Sequence, residues 1–252
     1  MKPDVYEAWY SSPRGQWIAS TEYSLLKSLL RPTSGCSLLD IGCGTGHFTR
    51  LFARETKGVV IGLDPSEEWL SYAQAHSEYH ERYVLGRAEE LPFANESFDC
   101  AVSVTALCFI DDKVQALREL ARVTRRRFVL GLLNRHSLLY LEKGCRGGSG
   151  GYKGAHWYTA EEIRDLFAQV PIDSTVLRTA VVVPGGSVFA RAVERFWPRR
   201  ILAGGFLAVT GSLSSVQRVV PPDRRGKALA APVNSVLCEK TDFRNALCLA
   251  LW

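Results

Sequence analysis

Between residues 37 and 133, five short apolar runs (37–41, 59–63, 82–85, 99–104 and 128–133) alternate with segments of helical spacing at 45–56, 67–76 and 111–123. A strand that is apolar on both faces cannot border water on either side, so the runs predict a parallel sheet covered by helices above and below. Two further strand-like runs, 174–183 and 202–209, raise the count to seven. The expected fold is therefore α/β: a Rossmann-like, seven-stranded, mostly parallel sheet with helices on both faces. Residues 22–30 predict an amphipathic helix that stops before Pro32. Thr159 and Glu162 form a capping box for a helix over 160–168. The stretch 144–154 is too rich in glycine for a regular element and reads as a mobile loop. Residues 187–197 form a basic amphipathic insertion, and 221–227 read as a linker or loop.

Composition narrows the classes of function. The chain has 252 residues, 46% apolar and 23% charged, with a formal charge of +5, which suits an ordinary globular protein able to bury its own core. The dense basic run Arg125-Arg126-Arg127 is short and reads as a solvated turn rather than a nucleic-acid surface. The seven cysteines are scattered and form no C-x-x-C pair, which points to a reducing, cytoplasmic setting. No metal-ligand spacing is present. The N-terminal residues carry no apolar leader, and the longest apolar stretches are too short to span a bilayer, so a soluble chain without membrane insertion is expected.

The chemistry concentrates in Leu38-Leu39-Asp40-Ile41-Gly42-Cys43-Gly44-Thr45-Gly46. Glycines at a strand-to-helix turn let a ligand approach the backbone, and the helix start supplies free N–H groups. A dinucleotide-binding turn competes for this pattern, but its third glycine would fall at His47. Asp40, inside the strand, would sit awkwardly beside a pyrophosphate and suits a ligand bearing an ammonium and a sulfonium. Asp64 ends the second strand, where a carboxylate accepts from both hydroxyls of a ribose. Its other role would be to cap the next helix, which Ser66 is equally placed to do.

With Ala88-Glu89-Glu90-Leu91-Pro92-Phe93, Ser97-Phe98-Asp99 and Glu119-Leu120-Ala121-Arg122-Val123, the sequence resembles the class I S-adenosylmethionine (SAM)-dependent methyltransferases. Within them it is similar to the ubiquinone/menaquinone C-methyltransferase-like, methyltransferase type 11 group, over residues 6–209. Tyr6-Glu7-Ala8-Trp9-Tyr10 resembles the aromatic N-terminal lid of such enzymes. The resemblance implies SAM as cofactor, with Gly42, Gly44, Thr45 and Gly46 beneath its methionine part and Asp40 near its amino group. It implies Asp64 at the ribose, Pro65 and Trp69 beside the adenine, the Ala88 N–H at adenine N1 and Thr105 beside the methyl donor. Trp69 reads equally well as a half-buried core residue. Arg87 stands where many relatives have an aspartate; it has no acceptor, so it must point away or stack, and SAM binding should weaken. Arg125 to Arg127 replace a usual Pro-Gly-Gly turn.

Methyl transfer from a sulfonium asks mainly for proximity and alignment. A base is needed only when the acceptor must lose a proton, and His136 and His156 are the candidates, each also explicable as a solvated surface histidine. The acceptor is expected to be a small molecule. Ser103-Val104-Thr105-Ala106 lacks the Pro-Pro-aromatic arrangement that grips a flipped base, and Cys145, Cys238 and Cys248 show no spacing suited to a metalloid. A catalytic domain is expected over 1–211, with a lid and helix at 1–35 and substrate-side loops at 144–158 and 184–200, where Phe189, Phe196, Trp157 and Tyr158 accompany Arg135, Arg191 and Arg195. Residues 212–252 form an extension. Two other classes stay open: a non-catalytic SAM- or nucleotide-binding regulatory module, and a nicotinamide oxidoreductase.

Overall fold

The computed structural model describes residues 1–213. Seven strands form one sheet: β1 (Leu38–Ile41), β2 (Val60–Asp64), β3 (Arg82–Leu85), β4 (Phe98–Val104), β5 (Thr124–Leu133), β6 (Ile172–Ala180) and β7 (Phe206–Leu213). Their order across the sheet is β3-β2-β1-β4-β5-β7-β6. Strands β1 to β5 are parallel, and β7 runs antiparallel to both β5 and β6. The chain turns outward from β1 in one direction and restarts at β4 in the other. Loops at the carboxyl ends of those two strands therefore diverge and leave a crevice, the usual ligand position in open α/β sheets.

Alternate side chains of each central strand enter opposite cores. Leu39, Ala101, Phe128 and Leu130 pack with Leu117 and Leu120 of α5 (Lys113–Val123) and Ile163 and Phe167 of α6 (Ala160–Phe167). Leu38, Val60, Val102 and Val129 face the other way, onto Leu25, Leu26 and Leu30 of α2 (Pro13–Leu30) and Phe48 and Phe52 of α3 (His47–Thr56). Helix α4 (Glu67–Ala75) packs Leu70 and Ala73 on Tyr83 of β3. The capping box at Thr159 and Glu162 is present in α6.

Three local expectations change. Arg125, Arg126 and Arg127 are not a turn but the start of β5: Phe98 pairs with Thr124 and Cys100 with Arg127, across a bulge at Asp99. Their side chains are exposed and Arg125 ion-pairs with Asp99 at 3.3 Å, so a charged stretch continues the ladder while its heads stay in water. The segment 144–154 is not an open loop. It folds into tight turns over Tyr140–Gly144, Cys145–Gly147 and Gly150–Tyr152, in which Gly148 has φ +84° and a side chain there would strike the Tyr152 carbonyl. Helix α2 begins at Pro13, well before residue 22, and is preceded by α1 (Pro3–Ser11). Ser12 joins the two, accepting from the Gly15 N–H at 3.0 Å while its hydroxyl donates to the Trp9 carbonyl at 2.7 Å.

The basic insertion is helix α7 (Val188–Phe196), capped by Ser187. Only Ala190 of it is buried, and Phe189 and Phe196 are 68% and 81% exposed. Strand β7 runs two residues past position 211. Cys238, Cys248 and the linker at 221–227 lie outside the described residues. The five described cysteines are free thiols, and no helix of the described residues is long and apolar enough to cross a membrane.

Candidate active site

The crevice is built from backbone first. Gly42, Gly44 and Gly46 have φ of +74°, +56° and +79°, so the turn after β1 follows a path that L side chains resist. A side chain at Gly42 would run into Ala106, which shows that the turns after β1 and β4 meet. Thr105, at the carboxyl end of β4, is also left-handed at φ +60°, ψ −11°, held by its N–H donating to the Gly131 carbonyl at 2.8 Å. Strain in a non-glycine residue at such a point accompanies functional sites.

Asp64 ties the two sides of the crevice together. One carboxylate oxygen accepts from the Gly44 N–H at 2.9 Å and the other from the Ser66 N–H at 3.0 Å. The α4 cap itself is Ser66, which accepts from the Trp69 N–H. Burial raises the Asp64 carboxyl, and the two N–H donors oppose that shift. Asp40 is 1% exposed, and the Thr49 hydroxyl donates to it at 2.7 Å. Burial pushes its carboxyl up to about 7 against that hydrogen bond, with the Asp64 charge adding to the rise. Two acids at one crevice with no cation beside either suit a ligand that brings positive charge and hydroxyl donors.

The remaining residues fall around this pair. Trp69 is half-buried, 3.3 Å from where a Gly44 side chain would begin, with the Tyr6 ring edge-on at 5.1 Å. Pro65 is exposed at the carboxyl end of β2. Ala88 is buried, and its N–H has no hydrogen-bond acceptor among the described residues. Arg87 turns outward and ion-pairs with Glu89 at 2.9 Å, leaving adenine recognition to the backbone. Thr45 is buried and its hydroxyl donates to Glu7 of α1.

Sequence patterns gave no notice of Glu7. Besides Thr45, it accepts from Arg50 at 2.6 Å and lies 3.2 Å from His47 Nδ1, so α1 is fastened across the glycine turn. Tyr10 stacks on His47 at 3.7 Å. Burial would raise the Glu7 carboxyl, but its bonds to His47 and Thr45 and the Arg50 charge hold it below the usual range. The readable signal is the pairing of an acid in an aromatic N-terminal segment with Arg50 one turn into α3.

The two histidines are not brought together. His136 is exposed in the turn after β5, its N–H donating to Asn134 Oδ1. His156 lies against Tyr158, 3.9 Å from Glu162, and burial lowers its pKa. Nor do the expected pocket aromatics converge: Trp157 and Tyr158 are buried, whereas Phe189 and Phe196 project from α7 into solvent. Arg135 is engaged with Glu162 at 3.0 Å and with the Trp157 carbonyl.

Fold, crevice and acid pair define a class of protein, and comparison with known proteins agrees. Residues 39–130 match the family described as a methyltransferase domain. A crystal structure from Thermotoga maritima, titled a SAM-dependent methyltransferase and possible histamine N-methyltransferase, superimposes with a TM-score of 0.66 at 28% identity, over 83% of this chain and 94% of that one. The chain carries a class I SAM-dependent methyltransferase domain, an enzyme domain whose methyl donor is SAM. An uncharacterized protein of Mycobacterium tuberculosis is 34% identical over 169 residues, 65% of this chain and 56% of its own length. A malonyl-[acyl-carrier protein] O-methyltransferase of Pectobacterium atrosepticum is 42% identical over 102 residues, 40% of this chain and 39% of that protein. The chain thus spans about half the length, or less, of these curated relatives.

Proposed function

We propose that this chain transfers a methyl group from SAM to a small-molecule acceptor by direct in-line displacement. The observation that carries the reading is Asp64, whose carboxylate ends β2, bonds across to Gly44 and keeps lone pairs for two ribose hydroxyls. The cofactor supplies an activated methyl on a sulfonium. The Gly42, Gly44 and Gly46 backbone supports its amino-acid part, and Thr45 and Asp40 border that part. Asp64 orients the ribose, Pro65 and Trp69 flank the adenine, and the free Ala88 N–H donates to it. Thr105 and Ala106 border the methyl group, and α1 excludes water above it. Holding the reacting atoms in line is the main contribution the protein makes to such a step. The names of the relatives, O-methyltransferases and a possible histamine N-methyltransferase, support a metabolite-sized group as acceptor. Calorimetric titration with SAM and with NAD, followed by detection of S-adenosylhomocysteine after incubation with a metabolite extract, tests the proposal. Binding of NAD but not SAM, or SAM binding without turnover on any extract, would refute it.

A further inference from the structure

Helix α2 carries a carboxylate on its buried stripe. Ile18, Ala19, Leu25 and Leu26, the positions that share a helical face with Glu22, are each between 0% and 4% exposed. Glu22 stands among them half-buried, with no hydrogen-bond or ion-pair partner among the described residues. Every other described acid placed this deeply at the active end of the sheet is satisfied: Asp40 by Thr49, Asp64 by two N–H groups, Glu7 by Thr45, His47 and Arg50. What faces Glu22 is a set of phenols. Its charge acts on Tyr6 and Tyr10 of α1 and on Tyr152 of the glycine-rich turns. Tyr6 and Tyr10 share a hydroxyl contact at 3.1 Å, and Gly151 approaches the Tyr6 ring. The nearest fixed charges on the far side of Tyr152 are Arg14 and Glu142, which neutralise each other at 3.2 Å.

Resting on the methyltransferase reading, we infer that Glu22 and the rings of Tyr6, Tyr10 and Tyr152 form the acceptor subsite, and that the acceptor is an amine received as its ammonium ion. An uncompensated carboxylate in such surroundings costs free energy that an entering cation removes, and electron-rich rings add cation–π attraction. A neutral alcohol satisfies only one hydrogen bond. Burial pushes the Glu22 carboxyl up to about 8, which brings its proton affinity close enough to an amine's to accept the proton that must leave. The step balances. Glu22 takes one proton from the ammonium, and the freed nitrogen lone pair bonds to the methyl carbon. The carbon–sulfur bond breaks with its electron pair going to sulfur. The products are a methylammonium ion, a neutral thioether and a protonated Glu22 that returns its proton to solvent.

The test uses three isosteric probes on the full chain with saturating S-adenosylhomocysteine: 2-phenylethylamine, 2-phenylethanol and 3-phenylpropionate. Calorimetry should show wild type binding the amine about tenfold or more tighter than the alcohol, and the acid weakest, the usual worth of a hydrogen-bonded charge. Glu22→Gln should erase the preference for the amine and leave S-adenosylhomocysteine affinity and melting temperature nearly unchanged. Glu22→Asp, which keeps the charge, should retain part of the preference. An amine bound no tighter than the alcohol by wild type, or a preference that survives Glu22→Gln, would overturn the inference. Loss of S-adenosylhomocysteine binding in Glu22→Gln would assign Glu22 to the cofactor and overturn it too. Failure of wild type to bind S-adenosylhomocysteine at all would instead bring down the methyltransferase reading beneath it.

Discussion

Replacing Asp64 by asparagine separates ligand recognition from structure. The carboxylate receives two backbone N–H groups, from Gly44 and Ser66, so alanine would remove both acceptors and loosen the glycine turn along with the ribose site. Asparagine keeps one carbonyl oxygen in nearly the same volume. A hydrogen bond to a charged group is worth about 1.5–3 kcal/mol, and neutralising Asp64 removes the charge from the ribose contacts. The SAM dissociation constant should rise by about tenfold to a little over a hundredfold. Folding should lose only about 1 kcal/mol, the worth of one ordinary hydrogen bond, which for a domain of this size lowers the melting temperature by about 2–4 °C. Calorimetry with SAM and a thermal scan on the same preparation give both numbers. Unchanged SAM affinity with a large fall in melting temperature would show that Asp64 serves only the turn, and the assignment of the ribose site would be wrong.

Glu7→Gln should detach α1 from Thr45, His47 and Arg50. The carboxyl is held below its ordinary range, so its stabilisation is present above the unfolded value of about 4.3 and is lost as pH falls through the lower folded value. Melting temperatures of wild type and variant should differ at pH 7 and converge near pH 3; a constant gap would refute the account. Asp40 is displaced the other way, to about 7, so the folded state prefers it protonated and stability falls as pH rises from about 4 to 7. Asp40→Asn should therefore raise the melting temperature at pH 8 while weakening SAM, and a fall in both would contradict the burial argument. Deleting residues 147–151 removes Gly151 from the Tyr6 ring and the Ser149 carbonyl that receives the Tyr152 N–H. SAM affinity measured by calorimetry should stay within a few-fold while methyl transfer is lost; loss of SAM binding would place this segment in the cofactor site.

The sheet was legible because its five parallel strands are buried on both faces, and continuous apolar runs such as Val129 to Leu133 leave little else for the chain to do. The glycine turn and Asp64 were legible because a positive φ and a strand-end carboxylate are each tied to one residue type. The start of β5 was not, since Arg125 to Arg127 place long stems along the ladder and charges in water, a compromise invisible to a polarity pattern. Helix α1 escaped because its hold on the domain is tertiary: Glu7 meets Arg50 across 43 residues of chain. Glu22 was visible as a letter on the apolar stripe of α2, but its lack of a partner is a fact of three-dimensional surroundings. The aromatics of α7 misled in the opposite sense, for Phe189 and Phe196 look like pocket residues and instead face solvent.

A crystal structure of the chain grown with S-adenosylhomocysteine tests the central claim most directly. The account predicts the thioether in the crevice between the carboxyl ends of β1 and β4, both ribose hydroxyls on Asp64, adenine beside Trp69 with its ring nitrogen on the Ala88 N–H, and α1 closed above. Density elsewhere on the sheet, or a ribose that leaves Asp64 untouched, would contradict it.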